Sequence, residues 1–250
     1  MLFCVYKLLT SSYDNGYYLG NEENNYIVFV KVADRNIYEL TIHENTKFIA
    51  NSAISNCNNL YYLEIPGNVY SLGNYAVSSC KNLYSVTMSK SVKLMYSSAF
   101  FATSPTNFYY NGTMNDYLSI EYYGVDGTSS LVYSTPMSHG CTFSVLNSDG
   151  SYTAVINLVV DEEITKIGDI QFFTYDYLQT ITLHNKVTYI GKFAFTGCDA
   201  LTAIYYNGTV EEWLQVEMPG GIDDTMEEQV VIYVLDANGE YIDLNSALAA

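Results

Sequence analysis

The sequence predicts a repeat solenoid, in which short segments of similar length stack on one another and bury a shared core. Three observations carry this prediction. The chain can be written in repeats of 22–23 residues whose apolar residues fall into the same columns. Each repeat opens with apolar residues at alternate positions, which is the period of a strand with one buried face. A single repeat presents an apolar wall that it cannot bury alone, so neighbouring repeats must stack.

The repeats form two arrays of short strands joined by turns. The first array contains IYELTIHENTKFIANSAISNCNN from Ile37, LYYLEIPGNVYSLGNYAVSSCKN from Leu60 and LYSVTMSKSVKLMYSSAFFATS from Leu83. The second contains VINLVVDEEITKIGDIQFFTYDY from Val155 and LQTITLHNKVTYIGKFAFTGCDA from Leu178. The fourth column is apolar in every repeat, with Leu40, Leu63, Val86, Leu158 and Ile181. This column is therefore predicted to point into the core.

Each array ends with a closing phrase, FYYNGTMNDYLSI from Phe108 and IYYNGTVEEWLQV from Ile204. A predicted hairpin follows each phrase, because TFSVLNSDGSYTAV and VIYVLDANGEYIDL alternate on both sides of an Asp-Gly or Asn-Gly turn. A looser hairpin is expected in YIVFVKVADRNIYEL from Tyr26.

These segments predict five regions. They are an N-terminal cap or hairpin (1–36), the first array with its closing phrase (37–123), a hairpin insert (124–154), the second array with its closing phrase (155–218) and a C-terminal hairpin (219–250). The last region is either a cap, as a solenoid end requires, or the truncated start of a further array.

Composition excludes several functions. The chain has 250 residues, 10 Lys plus Arg, 27 Asp plus Glu and a formal charge of -17. Too few cations are present for a nucleic-acid surface or for docking on anionic lipid. A hydrophobic content of 49% indicates a buried core, but no stretch is long enough for membrane insertion. The start, MLFCVYKLLTSSY, shows no signal-peptide cleavage site.

The repeat columns resemble the BspA-type leucine-rich repeat, whose repeats read approximately L-xx-I-x-I-P-xx-V-xx-I-G-xx-A-F-xx-C-xx-L. LQTITLHNKVTYIGKFAFTGCDALTAIYYNGTVEEWLQV and IPGNVYSLGNYAVSSCKNL carry the resemblance, which covers about residues 17–218. It implies a right-handed leucine-rich solenoid that is extracellular or displayed on the cell surface, acts in adhesion or host-matrix binding, and has no family active site. The chain departs from the pattern at Tyr96, Thr103, Gln171 and Tyr175, so those repeats are expected to be less regular and binding specificity is not carried over.

Cysteine and histidine residues have structural interpretations. Cys57, Cys80 and Cys198 share one column without metal-ligand or paired spacing, so we expect small buried side chains; the alternative is a bridge between Cys57 and Cys80 on adjacent repeats. Cys4 and Cys141 lie outside the column. His43 and His184 share another column several repeats apart, which predicts exposed turn residues.

Acidic and Asn-Gly-Thr motifs are also expected to be structural. The carboxylates of 161–163, 211–212 and 223–228 are adjacent in sequence and are predicted to be solvated, with weak calcium binding as the alternative. Asn111-Gly-Thr and Asn207-Gly-Thr are formal glycosylation sequons, but Asn-Gly suits a turn.

Tyrosine is the informative residue, with 26 copies beside one Trp. Tyr38, Tyr61 and Tyr84 share the second column and should form a ladder, with Tyr62 and Glu64 beside them and Tyr109 in the next repeat. Recognition surfaces favour Tyr because it gives a large contact area at a small entropy cost. The alternative is a ladder that packs under the N-terminal segment or stabilises the sheet by stacking on itself.

The sequence therefore predicts a non-enzymatic recognition or adhesion module. Its ligand would be a host or extracellular-matrix protein or a glycan, bound through these tyrosines, with no cofactor, metal or nucleic acid. No repeat supplies a nucleophile with a base, a set of metal ligands or a phosphate-binding loop. The alternative function is a structural spacer in a longer repetitive surface protein, with no ligand of its own.

Overall fold

The protein is a β-solenoid of about seven turns in the computed structural model, which describes residues 9–125, 133–138, 140–220 and 229–249. Its turns repeat every 23 residues or so: Glu39 pairs with Tyr62, and Tyr62 pairs with Ser85, in parallel strands. The predicted solenoid with this spacing is confirmed.

The strands are short and are numbered in chain order. The strands before the first hairpin are β1 (Leu9–Tyr13), β2 (Gly16–Gly20), β3 (Val28–Val32), β4 (Glu39–Leu40), β5 (Phe48–Ile49), β6 (Ile54–Ser55), β7 (Tyr62–Ile65), β8 (Ser71–Leu72), β9 (Val77–Ser78), β10 (Ser85–Ser89), β11 (Leu94–Tyr96), β12 (Asn107–Asn111) and β13 (Glu121–Tyr123). The others are β14 (Thr142–Leu146), β15 (Tyr152–Ala154), β16 (Asn157–Val159), β17 (Lys166–Ile167), β18 (Thr180–His184), β19 (Tyr189–Ile190), β20 (Ala203–Asn207), β21 (Val231–Leu235) and β22 (Tyr241–Asp243). The short helices of the described residues are α1 (Met114–Leu118), α2 (Val210–Trp213) and α3 (Leu244–Ala249).

The strands that open each repeat form what we call the front wall. It consists of a sheet in the order β15-β14-β12-β10-β7-β4 and a second sheet in the order β16-β18-β20-β21-β22. The register stacks Leu40 on Leu63 and Leu63 on Val86, and Leu158 on Ile181. These side chains are buried. Within β7, Tyr62 and Glu64 on either side of Leu63 are exposed, as the alternation along a strand requires. The fourth column thus forms the core, as predicted.

The return segments of the repeats form the opposite wall, called the back wall. Its first sheet has the order β1-β2-β3-β5-β8-β11-β13, and its second pairs β17 with β19. The meander β1-β2-β3 covers the start of the first array, because β3 pairs antiparallel with β2 and parallel with β5. The looser hairpin expected from Tyr26 to Leu40 is therefore wrong: the partner of β3 precedes it in the chain.

Each closing phrase and its hairpin extend the front wall. The strand of the phrase, β12 or β20, stacks parallel on the preceding repeat, and the first hairpin strand, β14 or β21, stacks parallel on it. The second hairpin strand, β15 or β22, turns back antiparallel. The Asn of each Asn-Gly-Thr motif accepts a hydrogen bond from the hairpin tyrosine, Asn111 from Tyr152 and Asn207 from Tyr241.

The rest of the Asn-Gly-Thr motif is also structural. Thr113 and Thr209 are the N-caps of α1 and α2, and each forms a capping box with an acidic residue three positions later. The glycine permits close packing, since a Cβ on Gly208 would lie 2.5 Å from Cε1 of Tyr206. The structural interpretation of this motif accounts for all three residues.

The two arrays are connected by a buried contact, called the joint. Gln171 donates from Nε2 to the carbonyl of Tyr117 at 3.0 Å, and the Tyr117 hydroxyl donates to the Gln171 carbonyl at 3.3 Å. The Tyr175 hydroxyl donates to the carbonyl of Val155 in its own repeat at 2.6 Å and lies 3.5 Å from the carbonyl of Phe143 in the hairpin insert. One hydrophobic core runs through both arrays. Two residues that depart from the repeat columns thus join these segments: Gln171 bonds the second array to the first, and Tyr175 contacts the hairpin insert.

Candidate ligand-binding surface

Tyrosines of the second column form a stacked ladder across three repeats. The ring centroids of Tyr38 and Tyr61 are 5.3 Å apart with an interplanar angle of 7°, and those of Tyr61 and Tyr84 are 4.9 Å apart at 13°. Parallel strand pairing sets this spacing, because equivalent residues of neighbouring repeats are in register. The sequence placed these three residues correctly relative to one another.

The ladder is open to solvent. Tyr38 is 57% exposed and Tyr84 is 39% exposed, while Tyr61 between them is partly buried by its two neighbours. Tyr62 lies edge-on to Tyr61 at 4.8 Å and is itself 45% exposed. Partial burial and the neighbouring phenols of Tyr62 and Tyr61 raise the pKa of Tyr38, so its hydroxyl stays protonated at neutral pH. The exposed edges and hydroxyls are available to a ligand, although the rings also stack on themselves.

A row of asparagines runs beside the ladder. Asn36, Asn59 and Asn82 stand just before the first residue of successive repeats and are exposed. Asn59 donates to the side chain of Asn36, and Asn82 donates to the backbone carbonyl of Asn58 at 2.7 Å. Both rows line a groove of about 640 Å³. The 23-residue spacing of these asparagines is visible in the sequence but was missed.

The groove is nearly neutral in a strongly acidic chain. The side chains that line it are amides, hydroxyls, phenols and Leu83, with Lys81 as the charged residue among them. The surface therefore offers hydrogen-bond donors and acceptors together with aromatic rings, and little net charge.

Glu64 and Tyr109 lie apart from the ladder. They share a register column, with Thr87 between them, on the exposed face of the front wall. Tyr109 contacts Tyr152 of the hairpin, with ring centroids 4.9 Å apart, whereas Tyr110 beside it is buried. The structure thus brings Tyr38, Tyr61, Tyr62 and Tyr84 together and places Glu64 and Tyr109 on an adjoining surface.

A second aromatic cluster occupies the equivalent position in the second array. The rings of Tyr205 and Tyr233 stack at 5.0 Å, and Tyr241 lies edge-on to Tyr205 at 5.0 Å. Tyr205 matches Tyr109, and Tyr241 matches Tyr152, in the duplicated closing phrase and hairpin. The cluster was missed because its members lie on three strands of two segments, the closing phrase and the hairpin, rather than in one repeat column.

The remaining residues singled out from the sequence have structural positions. Cys57, Cys80, Cys141 and Cys198 are buried free thiols, while Cys4 lies outside the described residues. Burial raises the pKa of the Cys198 thiol to about 12, and its sulfur donates to the carbonyl of Phe172 at 3.0 Å.

The two column histidines differ from the expected exposed turn residues. His184 is buried, and its Nε2 lies 2.8 Å from the carbonyl of Asp161, while His43 stacks on Tyr26 at 3.8 Å. Both accept a hydrogen bond at Nδ1 from the backbone N–H two residues later, so each imidazole stabilises its own turn.

The acidic side chains of 161–163 and 211–212 are exposed, as predicted. Glu162 forms an exposed ion pair with Lys186 at 2.7 Å. Within the described ranges, no group of three His, Cys, Asp or Glu side chains is arranged to hold a metal ion, and no helix is long and apolar enough to span a membrane. The cluster at 223–228 lies outside those ranges, as does His139.

Comparison with protein families identifies the repeat. The model of the BspA type leucine rich repeat region matches six copies, over residues 32–126 and 151–215. The chain belongs to this family. The columns that carry the resemblance are therefore those of BspA-type repeats, and no match was found among curated proteins.

Solved structures of bacterial leucine-rich repeat proteins resemble the chain at low sequence identity. A leucine-rich repeat protein from Bacteroides ovatus is 13% identical with a TM-score of 0.38, and the match covers 82% of this chain and 70% of that one. A leucine rich cell surface protein from Faecalibacterium prausnitzii is 14% identical with a TM-score of 0.31, covering 89% and 98%. The T. pallidum leucine rich repeat protein is 13% identical with a TM-score of 0.35, covering 82% and 70%.

Proposed function

We propose that the chain is a non-enzymatic recognition module, secreted or displayed at the cell surface, that binds its ligand along the tyrosine ladder. The observation that carries the proposal is the open groove between the row of tyrosines and the row of asparagines. Repeated amide and phenol groups at the strand spacing suit a ligand with a repeated structure. Family membership supports a role in interaction at the surface, since BspA-type repeats serve as repeat scaffolds.

Of the two ligand classes, the chemistry of the groove favours a glycan over a protein. Amide and hydroxyl groups can hydrogen-bond sugar hydroxyls, and aromatic rings can pack against the apolar faces of sugar rings. A protein ligand for so acidic a chain would use complementary cations, and the groove itself offers them no carboxylate. The ligand would lie across the strands, along the direction in which the repeats stack.

The test is retention on an array that carries both glycans and host-matrix proteins. Tyr61→Ala with Tyr84→Ala removes two rungs of the ladder, and we expect loss of ligand retention with the fold intact by circular dichroism. The matched control is Tyr70→Ala with Tyr96→Ala, which removes two exposed tyrosines of the return segments, each 44% exposed. Unchanged retention in the ladder variant, or equal loss in both, would remove the ladder as the site.

A structural spacer is the second candidate. The observation that favours it is the mutual stacking of the ladder rings at 4.9–5.3 Å, which stabilises the sheet without any ligand. In that case the ladder variant would unfold at lower denaturant than the control and the array would show no ligand for the wild-type chain. Retention of a ligand by the wild-type chain rejects the spacer.

A further inference from the structure

A groove lies at the joint between the arrays. Its volume is about 680 Å³, and it is lined by β13 and the residues just before it on one side and by 163–169 on the other. The two buried hydrogen bonds between Gln171 and Tyr117 hold the two sides in place. The groove is therefore a built feature of the fold, distinct from the tyrosine ladder.

The groove arises because the two walls of the solenoid differ at the joint. In the front wall, two hairpin strands, β14 and β15, stand between β12 of the first array and β16 of the second. In the back wall, the described residues place no strand between β13 and β17. Among the described residues, the hairpin thus adds to one wall without a counterpart in the other, and a space remains between β13 and β17.

Among the residues that the structure describes, both sides of this space are strand edges without a pairing partner. In β13, the backbone groups of Glu121 and Tyr123 face β11: the Glu121 N–H donates to the carbonyl of Lys93, and the Tyr123 carbonyl accepts from the N–H of Ser97. Alternation along the strand then turns the N–H and C=O of Tyr122 toward the groove. In the same way, the carbonyls of Thr165 and Ile167 accept from the repeat that contains β19, which leaves the backbone groups of Lys166 facing the groove.

The side chains around the groove define the charge of an occupant. Glu121 and Glu163 are exposed, and neither forms an ion pair within the described residues. Asp169 lies deeper, where it accepts from the backbone of Lys192 at 2.9 Å and from Tyr189 at 3.3 Å. Against these carboxylates stands Lys166, so the rim is negative overall. The aromatic rings of Tyr123 and Tyr189 line the same groove.

We propose that this groove binds an extended, basic segment of a partner protein, which adds a strand between β13 and β17. Strand edges on both sides supply backbone hydrogen bonds, as in other cases of strand addition. The carboxylates of Glu121 and Glu163 select Lys or Arg side chains, and the tyrosine rings cover their aliphatic parts. The peptide completes the back wall and makes it continuous across both arrays.

Peptide binding to the full chain tests the proposal. The probes are a labelled peptide of about eight residues that alternates Lys with Val, the same peptide with Glu for Lys, and the basic peptide methylated on alternate backbone nitrogens. Fluorescence anisotropy measures affinity, and amide hydrogen exchange locates the contact. We expect the basic peptide alone to bind and to slow exchange in 121–123 and 164–167.

Matched charge variants separate local from long-range electrostatics. Glu121→Lys with Glu163→Lys should weaken binding about tenfold, since two exposed ion pairs are replaced by repulsion. Glu22→Lys with Glu240→Lys makes the same change of net charge at exposed residues outside the groove and should leave the affinity within about twofold. Thr165→Trp, which fills the groove from an exposed position, should abolish binding.

Three outcomes overturn the proposal. They are failure of the basic peptide to bind the wild-type chain, equal weakening by both charge pairs, and binding of the methylated peptide as tight as that of the unmodified one. None depends on the ladder tyrosines, so the result is independent of the function proposed above. The Tyr61→Ala and Tyr84→Ala variant should bind the basic peptide normally.

Discussion

Removal of one oxygen atom tests how much a buried hydrogen bond at the start of the second array stabilises the solenoid. Tyr175 is fully buried, and its hydroxyl donates to the carbonyl of Val155 at 2.6 Å. Tyr175→Phe keeps the ring and removes that donor. A buried carbonyl left without a partner costs about 1–3 kcal/mol, so we expect the free energy of unfolding to fall by about 2 kcal/mol.

Urea unfolding followed by circular dichroism measures this loss. With a slope of about 3 kcal/mol per molar urea, a loss of about 2 kcal/mol lowers the midpoint by roughly 0.7 M. The slope should not change, because the variant exposes the same surface on unfolding. The wild-type chain should unfold in one transition, since a single core runs through both arrays.

The control is Tyr177→Phe, the same substitution two residues away at a position that is 42% exposed. It should change stability by no more than about 0.5 kcal/mol. Equal midpoints for Tyr175→Phe and Tyr177→Phe would refute the hydrogen bond to Val155 as a stabilising contact. Two separate wild-type transitions would refute the inference that the joint makes the arrays one cooperative unit.

Two further predictions concern packing and pH. Gly112→Ala and Gly208→Ala should each lower the free energy of unfolding by about 1–3 kcal/mol, because the new Cβ would lie 2.8 Å from Tyr110 and 2.5 Å from Tyr206, respectively. The control Gly67→Ala, whose new Cβ would have its nearest atom at 4.0 Å, should leave stability unchanged. Equal effects of the three substitutions in thermal melts would contradict this prediction. Burial raises the pKa of Tyr110, Tyr117 and Tyr122 above the ordinary value of 10.0. At high pH the folded chain therefore keeps protons that the unfolded chain releases. The free energy of unfolding should hold to about pH 9 and fall above about pH 10. A urea midpoint that stays constant or rises above pH 10 would contradict this sign.

The sequence was sufficient for the repeat and its register. Leu40, Leu63 and Val86 occupy one column because strand alternation and a 23-residue turn put one buried residue on each rung, and the observed pairing matches that alignment. The tyrosine ladder followed from the same rule. Periodic features could be predicted because each repeat meets the same packing requirement as its neighbour.

Features that break the repeat could not be predicted in the same way. Gln171 and Tyr175 were expected to be irregular positions, and their contacts with Tyr117 and with Phe143 of the hairpin insert depend on how that hairpin displaces one wall against the other. His184 was expected to be exposed, yet it is buried against Asp161 of the preceding repeat. Each of these positions is determined by a partner in another repeat or segment, which the column alone does not identify.

The two closing phrases differ in the residues that contact the segment packed against them. Tyr117 bonds to Gln171 through both its hydroxyl and its carbonyl, and its hydroxyl also lies 2.9 Å from that of Tyr122. In the second phrase Trp213 takes the place of Tyr117 and Met218 that of Tyr122, so neither hydroxyl is present. There α3 packs against α2 and β21 instead. The two phrases thus share a fold but differ at these two positions. The first phrase hydrogen-bonds to the array that follows it, whereas the second packs under a helix.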